Sequence, residues 1–240
     1  MIVLGLNIFH GDSSACLLID GEIISAAEEE RFTRIKHFSG FPINSINYCL
    51  SKSNLTIEEI DNISVNFNSK YNFKHKISFM LRNFFHTNFF PRLNLTVKKN
   101  SISNIIYQNF NKKINIKPSH VPHHKSHIAS SYLCSGFKRS IGFSFDGAGD
   151  FSSTEIYVCE ENKMELIDKV LFPHSLGVFY QAFTQFLGFK NYGEEYKVMG
   201  LAAYGNPIYK NRVYKLLDLT KKDFFRLNLK YYSHYKETFS

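Results

Sequence analysis

The 240-residue sequence contains no tryptophan and only four cysteines, six prolines and 13 glycines. Cys16, Cys49, Cys134 and Cys159 are widely scattered, and no pair has C-x-x-C spacing. This argues against a zinc knuckle and a dithiol redox motif, and it fits reduced, mostly buried thiols in a cytoplasmic protein. The modest glycine and proline content excludes collagen-like and low-complexity classes. No run approaches the roughly 20 apolar residues of a membrane span. The opening MIVLGLNIFHGDSSACLLIDG also lacks the basic region and unbroken apolar stretch of a secretion signal. What is present is ordinary for a globular chain: 44% hydrophobic and 21% charged residues, with enough length to bury a core. Lysine and arginine exceed aspartate and glutamate by 29 to 21, a formal charge of +8. That excess favours anionic partners without choosing among phosphates, nucleotides, nucleic acid and acidic lipid.

The hydrophobic pattern predicts three opening strands, at 2–8, 15–19 and 22–27, the last two joined by the tight-turn pair Asp20-Gly21. Helical spacing of Ile43, Ile46 and Leu50 predicts a helix over 41–50. Thr56 and Glu59 form a capping-box pattern before a strand at 62–67. Residues 70–118 are basic and rich in phenylalanine, and are read as amphipathic helices interrupted at Pro91, with 114–118 extended. A helix over 125–133 and strands at 141–145, 154–159 and 164–171 follow. Helices are then expected at 175–187 and 208–217. A second strand set begins near Ser135-Gly136-Phe137-Lys138, the best candidate for a domain boundary.

The strongest chemical signal is His120-Val-Pro-His-His-Lys-Ser-His127, four of the ten histidines within eight residues. If the helix starts near His123, then His123 and His127 project from one face, a spacing that suits two ligands of one metal. His124 points elsewhere and is read as a hydrogen-bonding or phosphate-contacting residue. Asp146 ends an apolar strand and precedes Gly147, Ala148 and Gly149, where a carboxylate and open backbone can meet a metal or phosphate. His123, His127 and Asp146 make a mixed nitrogen and oxygen set, suited to iron, zinc or manganese rather than calcium. In the loop Phe9-His10-Gly11-Asp12-Ser13, His10 could act as a general base toward a hydroxyl, and the loop could meet a phosphate. The mixed acidic and basic run from Glu28 to His37, after the third strand, reads as a solvated loop. In Gly193 to Gly205, Lys197 could pair with a phosphate, while Gly200 allows close packing.

Five segments then carry a resemblance over about residues 1–205. They are GLNIFHGDSSACLLIDGEIISAAEEERFTRIKH, HVPHHKSHIASSYLCSGF, FSFDGAGD, SLGVFYQAFTQFLGF and GEEYKVMGLAAYG. In this order they resemble the amino-terminal part of the O-carbamoyltransferases of antibiotic and nodulation-factor biosynthesis, the NodU/CmcH family that includes tobramycin carbamoyltransferase. The resemblance implies an α/β chain with the actin-like, Hsp70 and sugar-kinase (ribonuclease H-like) ATPase fold, similar to the tRNA threonylcarbamoyl transferase subunit. It implies a first lobe at 1–138 and an incomplete second lobe at 139–240. A carboxy-terminal YrdC-like domain would be absent, so the chain is expected to be part of a longer protein.

The implied activity is transfer of a carbamoyl group from carbamoyladenylate, made from carbamoyl phosphate and ATP, to a hydroxyl of a small metabolite or sugar. By position, His123, His127 and Asp146 match the family's metal ligands, with Fe2+ the metal by analogy. His10 and Lys36 match its catalytic positions. Asp12, Gly147, Gly149, Lys197 and Gly200 would line the ATP or carbamoyladenylate. Implied partners are carbamoyl phosphate, ATP, a hydroxylated acceptor, the missing carboxy-terminal half supplied by another chain, and a second copy in a homodimer. Neither a membrane nor nucleic acid is expected. The alternative readings are a tRNA threonylcarbamoyl transferase-like protein, which the +8 charge favours, a non-catalytic truncated remnant, and a membrane-surface protein resting on 70–100.

Overall fold

The computed structural model describes residues 1–83, 102–112, 116–219 and 224–236. The break expected at Pro91 and the start of the extended stretch at Ile114 lie outside them. The chain is mixed α/β and forms two compact units, one of 1–68 with 90–121, the other of 69–89 with 122–240.

In the first unit, β1 (Ile2–Asn7), β2 (Ser14–Ile19) and β3 (Glu22–Glu28) follow the alternating pattern of their apolar residues. Each pairs antiparallel with the next, and Asp20-Gly21 turns the chain with φ of 50° and 90°. β4 (Asn62–Val65) and β5 (Ser119–His120) add parallel strands, giving the order β3-β2-β1-β4-β5. The three opening strands expected from the sequence thus form one side of a mixed five-stranded sheet. Leu4, Leu6, Ile8, Leu17, Ile63 and Val65 supply its buried core. Helix α1 (Glu30–Thr33) is short, and α2 (Ile43–Lys52) buries Ile46, Cys49 and Leu50.

The charge run before α2 is a correction. Glu29 is only 1% exposed. Its carboxylate accepts from the backbone N–H groups of Asn44 (3.1 Å) and Ser45 (2.8 Å), and from both of their side chains. It therefore satisfies open donors at the start of α2 and meets the positive end of the helix. The capping box forms as expected: Thr56 donates its N–H and hydroxyl to Glu59 at 2.7 and 2.9 Å, ahead of a 3-10 turn at Ile57–Glu59. α4 (Ile102–Phe110) buries Ile102 and Ile106 in the same core.

The second unit contains α3 (Phe73–Arg82), whose Phe79 meets Phe151 and Phe172 edge to face. Its centre is a three-stranded antiparallel sheet, β6 (Arg139–Gly149), β7 (Ser152–Glu160) and β8 (Lys163–Leu171), with β7 in the middle and almost wholly buried. Three consecutive antiparallel strands thus open both sheets. Helix α5 (His123–Tyr132) packs on β6, where Gly142 makes room: a Cβ there would stand 2.8 Å from Ile128 Cγ2. The boundary expected near 138 lies inside this unit, between α5 and the strand it packs on. α6 (Leu176–Phe186) and α7 (Glu195–Ala202) follow. The helix expected over 208–217 is shorter: α8 (Lys210–Val213) gives way to a 3-10 turn and to β9 (Leu217–Asp218), paired with β10 (Arg226–Leu227). That pairing takes the backbone of Leu217 out of the helix.

Among the described residues no helix is long and apolar enough to cross a membrane. All four cysteines are free, with Cys49 and Cys159 buried and Cys134 exposed.

Candidate metal centre

Helix α5 begins at His123, three residues after the start of the histidine cluster and directly after Pro122. Pro122 cannot cap a helix with its side chain, and the first N–H is instead taken by a distant carboxylate. Asp150 Oδ2 accepts from the backbone N–H of His123 at 2.8 Å. Asp150 lies in the turn between β6 and β7 with φ of 50°, and its carbonyl accepts from Asn72 Nδ2 at 3.0 Å. A negative group at this end of the helix is favourable.

With the helix starting there, His123 and His127 lie one turn apart on the same face, ring centres 4.6 Å apart. β6 delivers Asp146 to the same spot. His123 Nε2 lies 2.7 Å from Asp146 Oδ2 and 3.0 Å from His127 Nε2, and His127 Nε2 lies 3.6 Å from Asp146 Oδ2. Three ligand-bearing side chains therefore present one atom each within 4.8 Å of one another. His123 is 5% exposed, while the His127 side chain is 55% exposed, so the cluster is closed behind and open in front.

The surrounding contacts hold this geometry. Asp146 Oδ1 accepts from the N–H of Gly147. The backbone carbonyl of Asp146 accepts from Ser175 Oγ at 2.8 Å, and the same hydroxyl caps α6 by accepting from Val178 N–H at 3.0 Å. Gly177 lets α6 approach: a Cβ there would sit 2.6 Å from Gly147 N. Gly149 admits the histidine itself, since a Cβ would meet His123 Cδ2 at 2.0 Å. Burial raises the Asp146 carboxyl, but hydrogen bonds from His123 and His127, with that of Gly147, outweigh it and hold the group below the usual carboxylate range.

His124 turns the other way and is buried. Its Nε2 faces the carbonyl of Ser152 at 3.0 Å and so donates, leaving Nδ1 to accept from Ser144 Oγ at 2.7 Å. Burial pushes its pKa down, keeping the ring neutral. Of the two roles expected for His124, the structure shows the hydrogen-bonding one, and the ring is 1% exposed.

The remaining candidates are distributed. His10, Asp12 and Lys36 belong to the first unit. The His10 loop is folded by Asn7, whose Nδ2 donates to the carbonyls of Gly11 (3.2 Å) and Asp12 (2.8 Å), and by Ser13 Oγ, 3.0 Å from the His10 carbonyl. His10 is half-buried, Lys36 is exposed, and Asp12 Oδ1 lies 2.9 Å from His37 Nδ1. In the second unit, Gly147 has open space where a Cβ would be, as does the exposed Gly200. Lys197 pairs with Glu194 and lies over the Phe189 ring. The Lys197 hydrogen bond, with those of Asn191, lowers Glu194 to about 2.

Sequence reasoning passed over Asp150, Ser144, Ser152 and Ser175. Only Ser175 carried a local signal, a serine directly before a helix. The others act across 20 or more residues, as in the pairs Asp150–His123 and Ser152–His124.

The donor set fits a metal. Two ligand atoms about 2.1 Å from one ion at a right angle stand about 3.0 Å apart, the separation of the two imidazole nitrogens. Three protein ligands leave positions open, as catalytic sites do, and two histidines with one carboxylate is a set used by non-haem iron.

Residues 2–239 match the family described as Carbamoyltransferase N-terminus. An uncharacterized protein of Synechocystis is 34% identical over 248 residues, covering 97% of this chain and 39% of that protein. The nodulation protein NolNO of Sinorhizobium fredii is 34% identical over 202 residues, covering 84% of this chain and 29% of that protein. The chain thus spans well under half the length of these relatives. Among solved structures, YeaZ from Pseudomonas aeruginosa aligns with a TM-score of 0.40 at 11% identity, covering 72% of this chain and 69% of that one.

Proposed function

The chain belongs to the carbamoyltransferase N-terminal family, and from this premise we propose that it is the acceptor-side region of an O-carbamoyltransferase. The donor is carbamoyladenylate, and the acceptor is a hydroxyl of a sugar or other small metabolite. Formation of the donor from carbamoyl phosphate and ATP is assigned to the further length that the relatives possess. The observation that carries the reading is the convergence of His123, His127 and Asp146 within the matched segment.

His123 and His127 would hold a divalent cation through neutral imidazole nitrogens, and Asp146 would add one anionic oxygen. The donor set favours iron. A cation bound there supplies a Lewis acid that polarises the phosphate oxygens of the donor. The chain's own residues do the rest. His10 accepts the proton of the acceptor hydroxyl as the oxygen bonds to the carbamoyl carbon. The bond from that carbon to the phosphate oxygen breaks, and adenosine monophosphate leaves. Lys36 is assigned to the carbamoyl group. In the second unit, Gly147, Lys197 and Gly200 are assigned to the nucleotide, with Lys197 exchanging Glu194 for a phosphate oxygen.

The test compares metal content and carbamoyl transfer in wild type and His127→Ala. The expected result is close to one equivalent of iron or zinc in the wild-type chain after reconstitution, lost in the variant. In the full-length protein, carbamoylation of a hydroxylated acceptor should be lost with it. A folded wild-type chain that retains no metal, or a variant that retains as much, would refute the assignment.

A further inference from the structure

Glu155 is completely buried in the middle of β7, and the carbamoyl-transfer reading gives it no task. Its surroundings are unusual for a carboxylate at 0% exposure: three hydroxyls face it. Ser152 Oγ donates to Oε1 at 2.7 Å, Tyr157 OH donates to Oε2 at 2.6 Å, and Tyr71 OH donates to Oε2 at 3.4 Å. Burial pushes Tyr71 up to about 12 and Tyr157 higher still, so both phenols keep their protons and remain donors. Hydroxyls arranged in this way suit a charged acceptor, and such bonds are roughly twice as strong as neutral ones. Burying a carboxylate costs several kcal/mol of desolvation, which raises the question of what it holds.

The bonds lead to the metal centre. Ser152, fixed by Glu155, accepts the Nε2–H of His124 on its backbone carbonyl. His124 in turn accepts from Ser144 Oγ on Nδ1. His124 is adjacent to His123 on α5, and Ser144 lies two residues before Asp146 on β6. A single buried chain, Glu155–Ser152–His124–Ser144, therefore ties together the helix that carries both histidines and the strand that carries the aspartate. Ser152 also faces the carbonyl of Gly149 at 3.2 Å, the residue against which His123 rests. Each member of the chain is at most 5% exposed, so water cannot substitute for a lost link.

We propose that Glu155 is a positioning residue of the metal centre, acting through Ser152 and His124 on the relative placement of His123, His127 and Asp146. The proposal rests on the reading that these three residues hold a cation. It adds a determinant of affinity that touches neither metal nor substrate. Outer partners of metal ligands are typically worth 10- to 100-fold in affinity.

Cobalt(II) serves as the probe, because its visible absorption reports ligand geometry. Binding to the full chain is titrated in wild type, His127→Ala, Glu155→Gln and Ser152→Ala, each checked by thermal unfolding. A glutamine keeps the shape but turns an N–H group toward a hydroxyl that now donates. The expected result is roughly 10- to 100-fold weaker binding for Glu155→Gln, with an altered cobalt spectrum. Ser152→Ala removes the link while leaving the carboxylate, and serves where Glu155→Gln does not fold. Its binding should weaken in the same direction by a smaller factor. Unchanged cobalt affinity and spectrum in a folded Glu155→Gln chain, with only a lower Tm, would overturn the proposal, as would wild-type affinity in Ser152→Ala. If the wild type binds cobalt no better than His127→Ala, the metal reading itself fails and takes the proposal with it.

Discussion

Replacing Gly149 by alanine should abolish the proposed metal centre, and the magnitude follows from the contacts a methyl group would make there. A Cβ at this position would lie 2.0 Å from His123 Cδ2, 2.3 Å from Cγ and 2.8 Å from Cβ. Non-bonded carbons are comfortable at about 3.5 Å or more. The ring or the strand must therefore yield by about 1.5 Å. The ring has little room to do so, because His123 is 5% exposed and its own N–H is anchored on Asp150. Gly149 has no left-handed φ, so the new methyl acts through contact alone. Overpacking of this kind costs about 1–3 kcal/mol of stability. The effect on the metal is larger, since ligand distances tolerate only about 0.2 Å. A loss of at least about 100-fold in cobalt or iron affinity is expected. Gly147→Ala is the control: nothing lies within 4 Å of the new methyl, so stability and metal binding should be preserved. Carbamoyl transfer by the full-length protein would fall only if the nucleotide approaches that backbone. The assay is metal titration of both variants beside urea unfolding. A Gly149→Ala chain that binds metal as the wild type does would refute the reasoning.

Two other carboxylates carry measurable contributions to stability. Glu29→Ala removes a carboxylate that accepts two backbone and two side-chain donors of Asn44 and Ser45; it should cost about 2–4 kcal/mol by urea unfolding, and a loss below about 0.5 kcal/mol would contradict the capping role. Glu194 is held at about 2 by its hydrogen bonds from Lys197 and Asn191, so its contribution is fully present above the ordinary glutamate range and is lost as pH falls through about 2. Glu194→Gln should flatten the fall of Tm between pH 5 and about 2, and an unchanged slope would show that the ion pair does not act on stability.

Legibility differed from element to element, for physical reasons. The first sheet was readable because its signals are local: alternating apolar residues, Asp20-Gly21 at the hairpin, and Thr56 with Glu59 in a capping box. The helix expected over 208–217 is cut short because Leu217 is claimed by a strand partner, Leu227, ten residues further on. The charge run at 28–37 reads as solvated surface because polarity alone cannot show that Glu29 meets the start of α2. His123 and His127 were legible as a pair because a helical turn brings residues four apart to one face.

The amino-acid sequence by itself determined the residue types of the proposed ligands, the spacing of the two histidines and the hairpin turn at Asp20-Gly21, because these depend on side-chain identity and on short stretches of backbone. The tertiary structure alone decided the rest. It placed Asp146 against a helix 23 residues earlier, and gave that helix its first hydrogen-bond acceptor in Asp150. It used the absence of a side chain at Gly149 to admit His123, and it put the buried Glu155 behind the centre. The contacts of Asp146, Asp150 and Gly149 join the start of α5 to a strand and turn more than 20 residues away, and their energy comes from desolvation and close packing, which exist only once the chain has folded.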